Sequence, residues 1–158
     1  MMSNFYKTTA LSSNSVEYET PDQLFKQLND KHRFDLDVCA TKQNAKCEKY
    51  FTINENGLKQ KWHGVCFMNP PYDRHIKFWI EKAYYEMNVR KVKTVALIPA
   101  RTDTKYWHDY IFPYSQIKFL KGRLKFKNKN GVYNPAPFPS AIVIFDYNSI
   151  GKGCIKYG

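Results

Sequence analysis

The sequence predicts an α/β fold with a mainly parallel sheet, and three observations support that fold class. Apolar runs of strand length alternate along the chain with segments whose apolar residues recur at helical spacing. One apolar run, residues 65–68, leads directly into the turn Asn69-Pro70-Pro71-Tyr72. A fully apolar run, residues 141–145, forms the last predicted strand. In sheets of this kind ligands bind beyond the carboxyl ends of the strands, so the turn stands where a site is expected.

The first helix is predicted from its capping signals. Thr20 is suited to the N-cap, Pro21 to the first turn and Gln23 to the capping box. Apolar residues then recur at helical spacing, so a helix is expected over residues 21–31. The polar segment 1–16 is expected to be a flexible tail, and residues 17–158 a single domain.

The remaining elements are predicted from apolar periodicity. In chain order we expect a strand over 34–40, a short connection with room for a second strand over 44–51, a strand over 65–68, a helix over 74–88, a strand over 92–99, a helix over 104–112, and strands over 116–120 and 141–145. Asn130-Gly131 marks the turn of a hairpin between the last two strands.

The composition is that of one soluble globular domain. The chain has 158 residues, of which 43% are apolar, and this is enough for one hydrophobic core. No apolar run approaches the roughly 20 residues needed to cross a bilayer, and the N-terminus lacks a signal-peptide pattern. We therefore expect a cytoplasmic protein with no membrane partner. The composition leaves the oligomeric state open.

The charge balance favours a polyanionic partner. Twenty-five Lys and Arg residues against 14 Asp and Glu residues give a net charge of +11, and each phosphate that a protein neutralises releases counterions. Residues 110–145 contain no acidic residue. The basic residues crowded there are Lys118, Lys121, Arg123, Lys125, Lys127 and Lys129. Such a face either binds nucleic acid or is merely solvated.

The cysteines and histidines predict no metal site. The four cysteines form no Cys-x-x-Cys and no close Cys/His pair. They are expected to be reduced thiols that pack as small apolar groups. The four histidines are scattered, and none is assigned a catalytic role.

The turn Asn69-Pro70-Pro71-Tyr72 is the feature that carries chemistry, and by composition it arises by chance roughly once in a thousand chains of this length. An aromatic amine such as adenine N6 is a poor nucleophile, because its lone pair is delocalised into the ring. Two fixed acceptors, the Asn69 side-chain oxygen and the Pro70 carbonyl, would hold both amino hydrogens and turn the lone pair towards a sulfonium methyl group. Tyr72 offers a face for stacking. The alternative is a rigid Pro-Pro turn with a capping Asn.

A base inside a duplex has to be flipped out to reach such a turn, and the basic segment 122–130 could hold the flanking phosphates. If the segment is extended, the basic residues on one of its faces are Arg123, Lys125, Lys127 and Lys129. Phe126 points to the other face. There it either closes on the base opposite Tyr72 or packs as an ordinary core residue.

A set of motifs in this order resembles the small phage-type DNA N6-adenine methyltransferases over roughly residues 18–145. The motifs are Glu19-Thr20-Pro21, Phe34-Asp35-Leu36-Asp37-Val38-Cys39-Ala40-Thr41 with Asn44-Ala45-Lys46-Cys47, Asn69-Pro70-Pro71-Tyr72, Leu97-Ile98-Pro99-Ala100-Arg101-Thr102-Asp103-Thr104, Gly122-Arg123-Leu124-Lys125-Phe126 and Ala136-Pro137-Phe138-Pro139-Ser140. The resemblance implies a Rossmann-like methyltransferase core, S-adenosylmethionine as methyl donor and adenine in DNA as substrate.

The resemblance also implies a cofactor pocket lined by the Thr20-Pro21 turn and by the loop that runs from Asp37 through Ala40. Asp37 either binds the ammonium group of the cofactor or only caps the turn after its strand. Glu48 is the candidate acid for the ribose hydroxyls.

The loop 99–104 is expected to border the active site. There Arg101 either contacts nucleic acid or forms an ion pair with Asp103.

The chain departs from the broader methyltransferase pattern in two places. The loop after Asp37 lacks the usual glycines, and the gap between Phe51 and Val65 is too short for every element of a full-length core. We therefore expect a trimmed sheet with a basic C-terminal hairpin. The 158 residues hold no segment long enough for a separate target-recognition domain. A short or relaxed target sequence, read by residues 123–133, is expected.

Other functions fit part of the pattern. A methyltransferase acting on RNA or on a glutamine side-chain amide could use the same turn, because an amide nitrogen also has a delocalised lone pair. A non-catalytic nucleic-acid-binding protein would explain the charge but not the turn. An NAD-dependent enzyme is disfavoured, because the chain has no Gly-x-Gly-x-x-Gly.

Overall fold

The computed structural model describes residues 18–128 and 130–150. The helices in these ranges are α1 (Asp22–His32), α2 (Ile76–Arg90) and α3 (Phe112–Tyr114), with a π-helical turn (Trp107–Ile111) directly before α3 and 3-10 turns at Gly57–Lys59 and Tyr147–Ser149. The strands are β1 (Leu36–Asp37), β2 (Val65–Met68), β3 (Lys93–Pro99), β4 (Gln116–Phe119), β5 (Lys125–Lys127), β6 (Tyr133–Pro135) and β7 (Ser140–Phe145). Among the helices described, none has the length and apolar character to cross a membrane.

Five strands form one sheet in the order β1-β2-β3-β7-β4. β1, β2 and β3 pair in parallel, whereas β7 pairs antiparallel with β3 on one side and with β4 on the other. It follows that β4 runs in the same direction as β3, and that β7 is the reversed strand of the five. The prediction of an α/β protein with a mainly parallel sheet is confirmed in this sense. The carboxyl ends of β1 to β4 meet the start of β7 at one edge.

Both faces of the central strand β3 are buried, as expected for a continuous apolar run. Ala96 and Ile98 face the larger core, which α2 and the π-helical turn cover. Val95 and Leu97 face a second core, which is closed by α1 and by Phe126 of the β5–β6 hairpin. The hairpin is therefore packed on the sheet.

The first predicted strand is shorter than its apolar pattern indicates. Of residues 34–40 only Leu36–Asp37 forms a strand. The Asp37 carboxylate accepts the backbone N–H groups of Cys39 and Lys46, at 3.3 and 3.0 Å, and this turns the chain away from the sheet. The N–H of Val38 still donates to the Phe67 carbonyl of β2 at 3.1 Å, so the Asp37 side chain takes the place of a strand partner only from Cys39 onward.

Two other predicted elements are present in altered form. The strand expected over 44–51 is reduced to a single bridge between Asp37 and Tyr50. The helix expected over 104–112 begins near its predicted start but passes through the π-helical turn before α3. Strands β5 and β6 pair antiparallel, and between them Gly131 has φ +80°, a conformation that glycine adopts without strain.

Candidate active site

The topology brings several predicted site residues to the carboxyl edge of the sheet. Asp37 ends β1 and Asn69 follows the last residue of β2. Pro99 ends β3, where it pairs with Ser140 at the start of β7. The loop that leaves β3 is fixed to the neighbouring strand by a 2.8 Å hydrogen bond from the Ala100 N–H to the Pro139 carbonyl.

The Asn69 side chain is held from one side. Its Nδ2 donates to the backbone carbonyl of Tyr18 at 2.7 Å and to the hydroxyl of Thr20 at 2.9 Å. Its Oδ1 is buried and has no hydrogen-bond partner among the described residues. A buried acceptor without a partner is unfavourable by about 1–3 kcal/mol, and this atom has the capacity to accept a hydrogen bond from a ligand.

An aromatic cluster lies beside Asn69 and is formed by Tyr18, Tyr72, Phe126 and Phe138. The Tyr18 ring stacks on the Tyr72 ring, with centroids 5.2 Å apart and planes inclined by 21°. Phe126 and Phe138 each meet the Tyr18 ring edge-on, at centroid distances of 5.1 Å. The face of Tyr72 that was predicted to hold a base therefore carries the ring of Tyr18.

Phe126 and Tyr72 are both anchored in this cluster. Phe126 is 4% exposed and packs in the second core. Of the two roles that the sequence left open for it, closing on a base or packing in the core, the structure shows the packing. The Tyr72 hydroxyl donates to the Leu97 carbonyl at 3.1 Å. Burial raises the pKa of this phenol, so it stays protonated and fixes the ring against β3. Pro70 is buried next to Asn69.

Asp37 is 2% exposed at the end of β1. Burial raises the pKa of its carboxyl to about 6, and the backbone hydrogen bonds from Lys46 and Cys39 partly offset that effect. Both carboxylate oxygens accept hydrogen bonds from the loop after β1, so Asp37 does cap the turn that follows its strand. A carboxylate has about four lone-pair sites, and this leaves acceptor capacity for a cation.

The Thr20-Pro21 turn lies against Asn69, and the capping-box prediction is wrong. Helix α1 has Pro21 at its N-cap and no side-chain capping bond, because the Thr20 hydroxyl is bonded to Asn69. Ala40 lies in the loop after β1 and is 9% exposed. Its N–H donates to the Phe51 carbonyl at 2.9 Å.

Glu48 lies elsewhere. It is exposed and borders a shallow polar depression with Asp35 and His63. Asp35 and His63 precede β1 and β2, so this depression is at the amino edge of the sheet, opposite Asn69. The structure does not bring Glu48 together with the other predicted site residues.

Basic residues surround the outer side of the cluster. The exposed Arg101 places its guanidinium 5.8 Å from the centroid of Phe138, and in the described part of the chain no ion pair joins it to Asp103. Lys125 and Lys127 are exposed on either side of the buried Phe126, and Arg123 is exposed just before β5. Lys129, predicted to share this face, lies outside the described residues.

Comparison with known protein families finds a match along most of the chain. The model of the family described as DNA N-6-adenine-methyltransferase (Dam) matches residues 7–150. The chain belongs to the DNA N-6-adenine-methyltransferase (Dam) family. The resemblance predicted from the ordered motifs is thereby confirmed.

Two curated phage proteins are similar to this Dam-family chain. A protein named DNA N-6-adenine-methyltransferase from Haemophilus phage HP1 (strain HP1c1) is 33% identical over 78 residues, which are 49% of this chain and 44% of the relative. A protein of the same name from Escherichia phage T1 is 30% identical over 93 residues, which are 57% of this chain and 38% of the relative. In both cases the match spans less than half of the relative's length.

Three residues that contact the predicted site residues or lie next to them were not assigned a role from the sequence. Tyr18 and Phe138 belong to the aromatic cluster, and Lys46 forms ion pairs with Glu19 at 3.2 Å and Asp22 at 2.7 Å. Phe138 and Lys46 fall within the motifs that carry the family resemblance, and Tyr18 immediately precedes one of them. Position within a motif was therefore the available signal for Phe138 and Lys46, and position next to a motif was the signal for Tyr18.

Proposed function

We propose that this Dam-family protein transfers a methyl group from S-adenosylmethionine to N6 of adenine in DNA, on a Rossmann-like core. The observation that carries the proposal is the buried, unpartnered Oδ1 of Asn69 beside the aromatic cluster. Adenine offers both groups that such a place would bind, because it has an amino donor and a flat ring.

The role of the turn follows from its two acceptors. Asn69 Oδ1 accepts one amino hydrogen and the Pro70 carbonyl accepts the other, which draws the nitrogen towards tetrahedral geometry. The lone pair is then aimed away from the ring. When bound, S-adenosylmethionine would supply the methyl group from its sulfonium, and the sulfur–methyl bond would break as the nitrogen–methyl bond forms, releasing S-adenosylhomocysteine. No strong base is needed, since the methylated nitrogen loses its proton to water afterwards.

The aromatic cluster provides the place for the flipped base. The base takes the face of Tyr72 that the Tyr18 ring covers in this structure, so the Tyr18 ring turns aside when the base enters. Phe126 and Phe138 then meet the edge of the base as they meet the edge of Tyr18. Stacking of this kind contributes about 1–3 kcal/mol per base, which offsets the unfavourable free energy of flipping.

The cofactor residues are proposed from their places at the carboxyl edge of β1. Asp37, buried but with acceptor capacity left, would hold the ammonium group, and Ala40 and Pro21 would line the pocket wall. An anionic carboxylate next to a cation is favourable in such a place, since few water molecules compete with it. The exposed position of Glu48 at the opposite edge gives no support for its assignment to the ribose.

The basic side chains on the outer face are proposed to hold the DNA backbone. Arg101 reaches out from the rim of the cluster, and Arg123, Lys125 and Lys127 continue the positive surface along the hairpin. The buried Phe126 lies between Lys125 and Lys127, so phosphate contact and base contact would come from the same short strand. Lys129, which lies outside the described residues, is included in this proposal from its place in the sequence alone.

The test is a methyl-transfer assay with labelled S-adenosylmethionine and separate DNA, RNA and protein acceptors, followed by mass spectrometry of the modified nucleosides. We expect N6-methyladenine in DNA. N69A should lower the transfer rate by about 100-fold or more, as loss of a preorganised hydrogen-bonding group does elsewhere. N54A makes the same change at an exposed asparagine outside the site and should retain the wild-type rate.

The other outcomes separate the alternatives. Label in RNA or in a glutamine side chain would mean that the substrate is not DNA, while the proposed role of the turn at Asn69 and Pro70 would stand. Absence of transfer to any acceptor, together with absence of S-adenosylmethionine binding, would leave a nucleic-acid-binding protein.

A further inference from the structure

The orientation of the Asn69 amide is fixed by its neighbours. A backbone carbonyl can only accept a hydrogen bond, so the amide atom that lies 2.7 Å from the Tyr18 carbonyl oxygen has to be the nitrogen. The second contact of that nitrogen is the Thr20 hydroxyl oxygen at 2.9 Å. The two N–H groups are thus both used, and the oxygen faces the other way.

We propose that the Thr20 hydroxyl is a positioning group for methyl transfer, which acts by keeping the Asn69 oxygen aimed at the amino group of the substrate. This inference rests on the proposed function. An amide turned by 180° would present its NH2 group to the amino group of adenine, and two donors would face each other. It would also bring the amide oxygen against the Tyr18 carbonyl, and two acceptors would then face each other. The Tyr18 carbonyl thus excludes the turned amide, and the Thr20 hydroxyl adds the second hydrogen bond that restrains rotation of the amide away from this orientation.

The surroundings show that Thr20 is held in place for this contact. Thr20 is 3% exposed, so its hydroxyl has little access to water as a competing partner. Glu19, directly before it, and Asp22, two residues after it, are both bound by the Nζ of Lys46. The backbone N–H of Lys46 in turn donates to Asp37 at the end of β1. A continuous chain of contacts therefore links the sheet edge to the hydroxyl.

The contact also gives Thr20 a role different from those the sequence indicated. As a capping residue it would bond to the backbone of α1, which it does not do. As a cofactor contact it would affect the binding of S-adenosylmethionine. As a positioning group it would affect the rate of methyl transfer and leave cofactor binding unchanged.

The experiment compares T20V, T20A and T20S in the full chain, by single-turnover methyl transfer to adenine in DNA over a range of S-adenosylmethionine concentrations. T20V and T20A lack the hydroxyl, and both should lower the single-turnover rate about five- to tenfold, which corresponds to the loss of one hydrogen bond. The half-saturating S-adenosylmethionine concentration should stay within about twofold. T20S keeps the hydroxyl and should restore at least about a third of the wild-type rate.

A second measurement does not depend on turnover. Wild-type protein should bind DNA with adenine at the target position more tightly than DNA with unsubstituted purine there, because purine lacks the amino group that Asn69 holds. In T20V and T20A this preference should shrink several-fold, as it should in N69A. A variant that merely loosened the fold would weaken the binding of both DNAs equally.

The outcomes that overturn the inference are distinct. A hydroxyl-free variant with the wild-type rate and preference would show that Thr20 has no positioning role, and a raised half-saturating S-adenosylmethionine concentration with an unchanged rate would make it a cofactor contact. T20S as slow as T20V would overturn the role of the hydroxyl. If the wild-type protein methylates no acceptor, the proposed function and this inference both fall. If the wild-type protein is active and T20V and T20A are equally active, this inference alone falls.

Discussion

The ring of Tyr18 lies on the ring of Tyr72, with centroids 5.2 Å apart and an angle of 21° between their planes. This is the arrangement in which aromatic rings attract each other, and it is also the arrangement that a base stacked on Tyr72 would have. Two edge-on contacts from Phe126 and Phe138 complete the surroundings of the Tyr18 ring. The Tyr18 ring thus fills the place that we propose for the flipped base.

Replacing Tyr18 by alanine should therefore free that place. We expect Y18A to increase the fraction of target bases that are flipped, measured by the fluorescence of 2-aminopurine at the target position in DNA. The variant should also be less stable by about 2 kcal/mol, because it loses aromatic contacts. Y147A, which removes an exposed tyrosine beyond the far end of β7, is the control. A smaller flipped fraction in Y18A would mean that the ring holds the base instead of occupying its place.

The two functions of Tyr72, stacking and anchoring, can be separated by a pair of substitutions. Y72F keeps the ring and loses the hydrogen bond to the Leu97 carbonyl, so it should lose about 1 kcal/mol of stability and retain most methyl transfer. Y72A loses the stacking face as well, and its affinity for DNA with an unpaired target base should fall by about 1–3 kcal/mol. Thermal unfolding and fluorescence anisotropy measure the two effects. Equal DNA affinities for Y72F and Y72A would contradict stacking on this ring.

The buried carboxyl of Asp37 makes the stability of the fold depend on pH. Its pKa is raised from 3.8 to about 6, chiefly by burial, so the folded protein holds this proton more tightly than the unfolded chain does. The contribution of Asp37 to the free energy of unfolding is therefore greatest below about pH 4, falls as the pH rises to about 6, and is constant above that. A shift of this size corresponds to about 3 kcal/mol.

D37N should remove this dependence. We expect the stability of D37N relative to wild type, measured by denaturant unfolding, to be about 2 kcal/mol more favourable at pH 7 than at pH 4. D30N, a change at an exposed carboxylate on α1, controls for the loss of a negative charge. A difference between D37N and wild type that is the same at both pH values would show that burial does not perturb this carboxyl.

The regular part of the fold was predictable because apolar periodicity reports burial directly. Helix α2 and strand β3 lie within two residues of their predicted bounds, since their apolar residues face cores in the spacing that each element requires. The length of β1 was not predictable in this way. The strand ends where the Asp37 side chain competes for backbone N–H groups. The spacing of apolar residues does not report such competition.

The site was predictable where its chemistry is local to one motif, and not where distant segments meet. Asn69, Pro70 and Tyr72 share a turn, so the roles proposed for them follow from adjacent residues. Thr20 has the local sequence of a helix N-cap, but its hydroxyl bonds to a side chain 49 positions away. Local pattern alone cannot weigh a capping bond against a tertiary contact. The stacking of Tyr18 on Tyr72 depends on the same distant contact between segments.

The β5–β6 hairpin should contribute to DNA affinity through charge. Lys125 and Lys127 are exposed on one face of β5, and directly across the hairpin Lys127 pairs with the exposed Tyr133. If each lysine neutralises one phosphate, K125Q and K127Q should each reduce the slope of log affinity against log salt by about 0.9. K61Q removes an exposed lysine shortly before β2, at the opposite edge of the sheet, and should leave the slope unchanged.

A comparison of affinities across DNA sequences shows whether the hairpin lysines contact phosphates or bases. A phosphate contact weakens binding to every sequence alike, whereas a base contact changes the preference among sequences. We expect the two lysine variants to lower the affinity for every DNA in a panel of sequences by the same factor. The methylated target, which we expect to be short or relaxed and which sequencing of methylated sites would report, should not change. A changed set of methylated sites in K125Q or K127Q would instead place that lysine against a base edge. An unchanged salt slope in both variants would exclude this face of the hairpin from the DNA contact.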